Sequence, residues 1–176
     1  MQLSLPEGLL SMSLRAPDPM LSTSLQNALN ASFAAHSEFL PWAKPYISED
    51  EARAFMLRSI DEFESETGER RFFIVADEDQ AIIGCIGLKP GGRNRYVVGY
   101  WANTEYAGKG HMRRALEALV ESLPGNTFYL TTSSANLPSQ RLAVAAGFQW
   151  VRIFPRARQT EQHGVQDTYL YRLKHP

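Results

Sequence analysis

Tyr100–Met112 reads YWANTEYAGKGHM, and this stretch decides the fold. It begins at the end of a β-rich run, passes through the closely spaced glycines Gly108 and Gly110, and continues into an amphipathic helical pattern. It therefore predicts a strand, a glycine-containing loop and a helix in direct succession.

A loop of this kind is suited to binding phosphate. The first backbone N–H groups of a helix have no partner inside the helix and lie at the positive end of its dipole. Glycine lets the main chain approach an anion closely, and Lys109 adds a positive charge. The glycine pair alone is a weak signal, because a plain turn into a helix has the same residues, so the surrounding elements decide.

Two other phosphate-binding loops are excluded by the residues present. A Walker A loop requires Ser or Thr where this chain has Gly110, and glycine where it has Asn103. A dinucleotide-binding fingerprint requires glycine at the position of Arg113 and lies in a βαβ unit rather than after a meander. The sequence therefore excludes a kinase, an NTPase and a dinucleotide-binding protein.

The residues before the loop have the pattern of a three-stranded meander. Phe72–Ala76 and Ala81–Leu88 are β-rich runs joined by the turn Asp77–Gln80, and Gly91–Gly92 turns the chain into Tyr96–Trp101. The meander predicts antiparallel pairing in this part of the sheet.

The N-terminal part predicts one strand and two helices. Ser11–Ala16 alternates as a short strand, and a helix begins at about Pro19 and ends before the aromatic loop Phe39–Trp42. Ser48 and Glu51 form a capping box for a second helix, which we expect Gly68 to end.

After the loop, helices and strands alternate. The predicted elements are a helix up to Pro124–Gly125, a strand Thr127–Thr132, a helix Pro138–Gly147, and strands Phe148–Phe154 and Thr168–Leu173 joined by the polar loop Arg156–Gln166. The order β-α-α-β-β-β-α-β-α-β-β predicts an α+β (α/β mixed) fold with a central, mostly antiparallel mixed sheet of about seven strands flanked by four helices. We expect a single domain over residues 1–176.

Composition excludes several classes of protein. The chain has 176 residues, of which 44% are hydrophobic and 21% charged, and its net charge is −1, so we expect neither nucleic acid nor a membrane as partner. The single cysteine, Cys85, lies in an apolar run typical of a buried thiol, and the four histidines lack metal-ligand spacing, which predicts no metal site. Met1–Leu14 has no cationic segment before its apolar stretch, so we expect a cytoplasmic protein.

The loop resembles the pyrophosphate loop of the GNAT acetyltransferase superfamily, Gln/Arg-x-x-Gly-x-Gly/Ala after a central strand. It aligns as EYAGKG, with Glu105 where the family usually has Gln or Arg and with Lys109 nearby to offset its charge. Within the superfamily, the chain is similar to RimJ/RimL-type enzymes over nearly its whole length in element order. The segments that carry this similarity are Gly99–Trp101, Gly108–Met112, Asn136–Ser139 and Ala146–Phe148.

The resemblance implies the GNAT fold and an N-acetyltransferase. Such an enzyme moves the acetyl group of acetyl-CoA to a primary amine by direct attack in a ternary complex, here a protein N-terminal α-amine as in RimJ/RimL-like enzymes. The resemblance also implies the residues that bind the co-substrate. They are Ala107, Gly108, Lys109, Gly110, His111 and Met112 at the pyrophosphate, Trp101 and Ala102 at the pantetheine arm through backbone groups, Asn136 at the same arm, and Ser139 beside the sulfur.

Acetyl transfer requires an uncharged amine, donors to the developing oxyanion and a proton for the departing thiolate. The resemblance implies that backbone at Gly99 and Tyr100 supplies the donors and that Ser139 supplies the proton. The residues leave two alternatives open. Gly99 and Tyr100 can instead pair in the sheet in the ordinary way, and Asn136 and Ser139 can instead cap a helix.

The base is predicted among four glutamates at the end of the second helix. Glu62, Glu64, Glu66 and Glu69 lie in the region where RimL-like enzymes carry a carboxylate facing the substrate. We predict Glu66 as the base, although the hydrophobic periodicity of the helix does not favour Glu66 over Glu62. A chain of water molecules that takes the proton instead is an alternative. His111 is expected to be a first-turn helix residue rather than a base.

The acceptor is the least constrained part of the prediction. We expect Phe39, Trp42, Tyr46 and the loop Arg156–Gln166 to form its site. A small-molecule amine, such as a polyamine, an antibiotic or a toxin, is the alternative acceptor, and a non-catalytic acyl-CoA sensor is the alternative outside the enzymes. Both a monomer and a homodimer remain open.

Overall fold

The computed structural model describes residues 3–4 and 10–176 of the chain. Its strands are β1 (Leu3–Ser4), β2 (Met12–Arg15), β3 (Arg70–Ala76), β4 (Ile82–Pro90), β5 (Arg95–Ala102), β6 (Thr127–Ser133), β7 (Gln149–Thr160) and β8 (Gly164–Lys174). Within the described residues they form one eight-stranded sheet in the order β1-β2-β3-β4-β5-β6-β8-β7. Only the β5–β6 pair is parallel in this sheet, which confirms the predicted mixed, mostly antiparallel arrangement.

The helices cover both faces of the sheet. They are α1 (Ser22–Ala31), α2 (Phe33–His36), α3 (Glu49–Glu64), α4 (His111–Glu121) and α5 (Leu137–Ala145). Successive residues of β3 point to opposite faces, so Ile74 belongs to the core under α4 and α5, and Phe73 to the core under α1 and α3. None of the described helices is long and apolar enough to cross a bilayer.

Two short elements go beyond the predicted seven strands and four helices. The two-residue β1 adds an edge strand, and the first predicted helix is divided into α1 and α2. The division occurs at the buried Ser32, whose hydroxyl accepts a hydrogen bond from the backbone N–H of Thr104 at 3.0 Å. A serine that bonds to a distant loop interrupts the helical pattern, and sequence periodicity does not show this contact.

The predicted polar loop Arg156–Gln166 is wrong. β7 continues to Thr160 and β8 begins at Gly164, so that the two strands form a long hairpin with a short turn. The strand pairing is irregular between Phe154 and Arg158, where Arg156 has a φ of 52°. Because most of this strand pair is exposed, its residues are polar without being a loop.

The capping box at the start of α3 is confirmed, but the end of the helix differs from the prediction. Ser48 accepts from the N–H of Glu51, and the Glu51 carboxylate accepts from the N–H of Ser48. The helix ends at Glu64 rather than at Gly68. A side chain at Gly68 would overlap the carbonyl group of Glu62, so this glycine permits a close return of the backbone past the helix end.

We expect Gly68→Ala to destabilise the protein by about 2 kcal/mol, because the added methyl group meets backbone that cannot move aside. In thermal unfolding this corresponds to a Tm lower by roughly 4–8 °C for a domain of this size. Gly91→Ala is the matched control, since its methyl group would make only ordinary contacts at 3.8 Å. Equal melting temperatures for the two variants would contradict the prediction.

Candidate active site

The site is built around a separation of two neighbouring strands. β5 pairs with β6 only from Arg95 to Val98, whereas β6 continues along β8 and β5 continues along β4 as far as Ala102. From Gly99 onward, the edge of β5 that faces β6 therefore has no strand partner in the described structure. The loop before α4 follows directly after this free edge.

The loop before α4 presents a series of free backbone donors. Gly108 and Gly110 both have a φ of 77°, a conformation that favours glycine, and Gly110 is the N-cap of α4. Within the described residues, the N–H groups from Gly108 to Arg113 donate to no acceptor, and Arg114 is the first to bond, to the Gly110 carbonyl at 3.1 Å. A side chain at either glycine would meet no atom within 4 Å, so the space beside both glycines is open.

The side chains of this loop have different surroundings. Lys109 is exposed, whereas His111 is buried, and its Nδ1 accepts a hydrogen bond from Arg114 at 2.8 Å. Burial, and then the positive charges of Arg114 and Lys109, lower the pKa of His111, so its imidazole is neutral and offers an anion no charge. Met112 packs its sulfur against Gly84, and the Ala107 N–H bonds to the Thr104 carbonyl.

Ala102 is engaged by a residue that the sequence did not single out. The Nε2–H of His36 donates to the Ala102 carbonyl at 2.9 Å. The imidazole is buried and lies edge-to-face with Trp42 and with Trp101, and burial lowers its pKa. His36 therefore ties α2 to the end of β5, and the Ala102 carbonyl already has a protein partner.

Tyr100 and Ser139 are brought together from different elements. The Tyr100 hydroxyl lies 2.9 Å from the Ser139 hydroxyl and 3.2 Å from the Ser139 carbonyl oxygen. Burial raises the pKa of Tyr100 to about 12, so this hydroxyl keeps its proton at neutral pH. The α5 cap is Asn136, whose side-chain oxygen accepts from the Ser139 N–H at 3.1 Å, so the Ser139 hydroxyl itself does not cap the helix.

The strand separation, the glycine loop and the helix order are those of a known family. The family model described as an acetyltransferase (GNAT) domain matches residues 19–149. The chain belongs to the GNAT acetyltransferase family. It is thus an acetyltransferase whose co-substrate is acetyl-CoA, and the predicted GNAT fold is confirmed.

Solved structures of GNAT proteins resemble this chain over nearly its full length. The structure of RimL, a ribosomal L7/L12 α-N-protein acetyltransferase, in complex with coenzyme A has a TM-score of 0.84 at 18% identity, with 98% of each chain covered. RimJ from Mycobacterium smegmatis in complex with CoA-disulfide has a TM-score of 0.76 at 16% identity, covering 98% of this chain and 86% of that one. The microcin C7 self-immunity acetyltransferase MccE, in complex with acetyl-CoA and AMP, has a TM-score of 0.81 at 17% identity, covering 93% of this chain and 92% of that one. A comparison with curated protein sequences gives no significant match.

On the side of the sheet that carries α1 and α3, this GNAT protein has a cavity of about 730 Å³. Of the residues expected at the acceptor site, Trp42 lines this cavity, whereas Phe39, Tyr46 and residues 156–166 do not. Phe39 instead stacks on His163 at the tip of the β7–β8 hairpin, with ring centroids 4.9 Å apart. The lining combines apolar walls with a few charged groups, and it includes Phe55, Arg58, Glu69, Arg71, Gly87, Gly99, Tyr100 and Trp101.

The structure does not bring Glu66 to this cavity. Because α3 ends at Glu64 and the chain then turns, Glu66 is exposed and is not a lining residue. Glu69 lines the cavity, and it accepts a hydrogen bond from Arg71, which also bonds to Glu62. Helical phasing did not predict this placement because Glu66 and Glu69 lie beyond the helix.

Gly87, which also lines the cavity, was missed at the level of sequence. It interrupts a β-rich run, and a glycine inside a strand signals a close approach of another group. Cys85 also lines the cavity, but it is buried and burial raises the pKa of its thiol, as is typical of an inert cysteine. No group of three His, Cys, Asp or Glu side chains within the described part of the chain could hold a metal ion.

We expect Gly108→Ala to raise the Kd for coenzyme A by about tenfold or more. Alanine disfavours the positive φ of Gly108, so the loop would shift and its N–H groups would lose hydrogen bonds to the pyrophosphate. Hydrogen bonds to a charged group contribute roughly 1.5–3 kcal/mol. The measurement is isothermal titration of each purified protein with coenzyme A. Gly164→Ala is the matched control, since Gly164 also has a positive φ and open surroundings but lies at the hairpin tip. The same Kd for both variants would place the phosphates elsewhere.

Proposed function

We propose that this protein transfers the acetyl group of acetyl-CoA to a protein N-terminal α-amine, by direct attack in a ternary complex. The observation that carries the proposal is the Tyr100–Ser139 hydroxyl pair beside the unpaired edge of β5. The resemblance to RimL and RimJ supports the N-terminal amine as acceptor. We further propose one GNAT domain over residues 1–176 and a cytoplasmic location, with a homodimer as one assembly to test.

The loop before α4 fits the pyrophosphate of the co-substrate. Free N–H groups from Gly108 to Arg113 offer donors in sequence at the positive end of a helix, where an anion is stabilised. Lys109 and Arg113 are exposed and add positive charge, which outweighs the single carboxylate of Glu105. Backbone N–H groups supply the hydrogen-bond donors, so the loop can bind pyrophosphate although Glu105 replaces the usual Gln or Arg.

The chain's own residues provide the groups that the reaction requires. Bound acetyl-CoA supplies an activated acetyl group to an amine. Alternate backbone groups on the free edge of β5 after Val98 can donate to a developing oxyanion there. The Tyr100–Ser139 pair holds a proton that can pass to the departing sulfur, and the high pKa of Tyr100 keeps that proton in place until it is needed.

A small-molecule amine is the second candidate acceptor. The MccE structure, which was solved with acetyl-CoA and AMP, resembles this chain almost as closely as the RimL structure does. The cavity of about 730 Å³ is within the range of pockets that hold small molecules. A non-catalytic sensor has no need of a proton-donating pair, so the site favours an enzyme.

Thiol release from acetyl-CoA with a panel of amines tests the proposal. The panel contains a peptide with a free N-terminal serine, the same peptide acetylated at its N-terminus, and spermidine. We expect turnover with the free peptide and none with the blocked one. Turnover with spermidine alone would favour the small-molecule acceptor, and no turnover with any amine would support the sensor.

We expect Ser139→Ala to lower kcat and kcat/KM together by about 10²–10⁴-fold, because a proton donor acts only as the bond breaks. Its Tm and its Kd for coenzyme A should change little, since Asn136 rather than the Ser139 hydroxyl caps α5. Tyr100→Phe should have an effect of the same kind, and the double variant should be no slower than the slower single variant if the two hydroxyls act as a unit.

Ser37→Ala is the control for this series, since the Ser37 hydroxyl bonds only to the Ala34 carbonyl. Normal turnover by Ser139→Ala and by Tyr100→Phe would exclude the pair as proton donor. Multiplicative losses in the double variant would show that the two hydroxyls act separately.

A further inference from the structure

The cavity on the α1 and α3 side has more basic than acidic side chains in its lining. The charged residues of the lining are Lys44, Glu51, Arg58, Glu69 and Arg71. Lys44 is paired with Glu51 at 3.0 Å, and Arg71 is paired with Glu69. Within the part of the chain that the structure describes, Arg58 forms no ion pair. Arg58 is therefore the lining cation whose charge is left for a ligand.

Helical geometry directs Arg58 to the cavity. Four α3 residues at spacings of three and four positions line it, namely Glu51, Ala54, Phe55 and Arg58. This spacing places them on one face of the helix. Long helical side chains lean toward the N-terminus of their helix, so Arg58 leans toward Ala54 rather than toward Glu62 in the next turn. Glu62 instead bonds to Arg71.

A second arginine lies beyond the free edge of β5, on the same face of the sheet as the cavity. Leu130 of β6 belongs to the core under α4 and α5, so the next residue, Thr131, points to the opposite face. Arg158 of β7 donates to the Thr168 hydroxyl at 3.1 Å and to the Thr131 hydroxyl at 3.4 Å. Leu130 is the last residue of β6 that pairs with β5, so Arg158 is held where the two strands separate.

Arg158 also carries a charge without a carboxylate partner. It forms no ion pair among the described residues, and its two hydroxyl partners are neutral. Burial lowers the pKa of Arg158, although a guanidinium stays protonated at neutral pH. A charge that is partly removed from water is stabilised by an opposite charge. A carboxylate ligand would supply that charge.

The two arginines lie on either side of the free edge of β5. Gly99 is the first residue of this edge, and it also lines the cavity that contains Arg58. An acceptor whose amine reaches this edge therefore has Arg58 on its cavity side and Arg158 on its β6 side. Arginine binds carboxylates through parallel, charge-assisted N–H···O bonds, which are stronger than bonds between neutral groups.

We propose that the acceptor is an acidic protein N-terminus, whose first residues carry carboxylates that bind to Arg58 and Arg158. This specificity rests on the proposed acetyl transfer, because it concerns the acceptor of that reaction. Glutamate or aspartate at the second and third positions of the acceptor supplies the charge. An extended peptide reaches both sides of the free edge, whereas a compact amine has fewer groups with which to contact two arginines from different elements.

The test measures thiol release from acetyl-CoA with three peptides that share a free N-terminal serine. Their second and third residues are both glutamate, both glutamine or both lysine, and aspartate amide serves as a small acidic amine. We expect kcat/KM for the glutamate peptide to exceed that for the glutamine peptide by about 10–100-fold, because the glutamine peptide lacks the charge-assisted hydrogen bonds. The lysine peptide should be the poorest peptide, because its charges repel the arginines.

Variants of the two arginines test the source of this preference. Arg58→Gln and Arg158→Gln should each lower the glutamate-to-glutamine ratio of kcat/KM by about tenfold. Arg58→Glu should reverse the order of the glutamate and lysine peptides, because the repulsive charge is then of opposite sign. Arg53→Gln is the matched control, since Arg53 is also an exposed arginine of α3 but does not line the cavity. The Kd for coenzyme A checks that each variant is folded.

Equal kcat/KM values for the three peptides in wild type would overturn the proposal and leave acetyl transfer intact. A ratio that Arg58→Gln leaves unchanged would also overturn it, even if all rates fall, because a structural role lowers every rate by the same factor. A higher kcat/KM for aspartate amide than for the glutamate peptide would overturn the protein N-terminus as acceptor. A wild-type protein that releases no thiol with any of these amines would overturn the proposed function, and this specificity with it.

Discussion

The end of β5–β6 pairing at Val98 is the constraint on which the rest of the site depends. A parallel strand pair that continued to Ala102 would use the backbone groups of β5 in the sheet. Because pairing stops, that edge is left with donors and acceptors that a co-substrate can use, and a buried unpaired backbone group would otherwise be costly. The free edge places Tyr100 beside Ser139 of α5 and is followed directly by the loop before α4.

The two faces of the sheet carry different parts of the site. On one face, α4 and α5 pack on a continuous apolar core, which fixes the glycine loop and the Asn136 cap at their N-termini. On the other face, α1 and α3 leave the cavity of about 730 Å³ between themselves and the sheet. Gly99 is the first residue of β5 beyond its pairing with β6, and it pairs with Gly87 and lines the cavity, so the cavity adjoins the free edge of β5.

Several polar contacts hold this arrangement, and each has its partner far away in sequence. His36 ties α2 to the end of β5, and Ser32 ties the α1–α2 junction to Thr104. Asn103 is buried and donates to the Ile82 carbonyl, which fixes the start of the loop to β4. Buried polar groups that are fully paired specify one geometry, because a shifted loop would leave them unsatisfied.

The sequence by itself determined the elements whose causes are local. The glycine loop, the Ser48 capping box and the meander before the loop depend on residues within a few positions of one another, and all three are present in the structure. The loop predicted from polarity at residues 156–166 was wrong, because the exposed β7–β8 strand pair has the polar composition of a loop. Only the tertiary structure decided which side chains meet. Tyr100 and Ser139 are 39 positions apart, and the Glu69 carboxylate lies against Gly87, which is on another strand. The resemblance pointed only to the region from Glu62 to Glu69, and hydrophobic periodicity did not separate Glu66 from Glu62; the end of α3 at Glu64 and the packing of the sheet bring Glu69, and not Glu66, to the cavity.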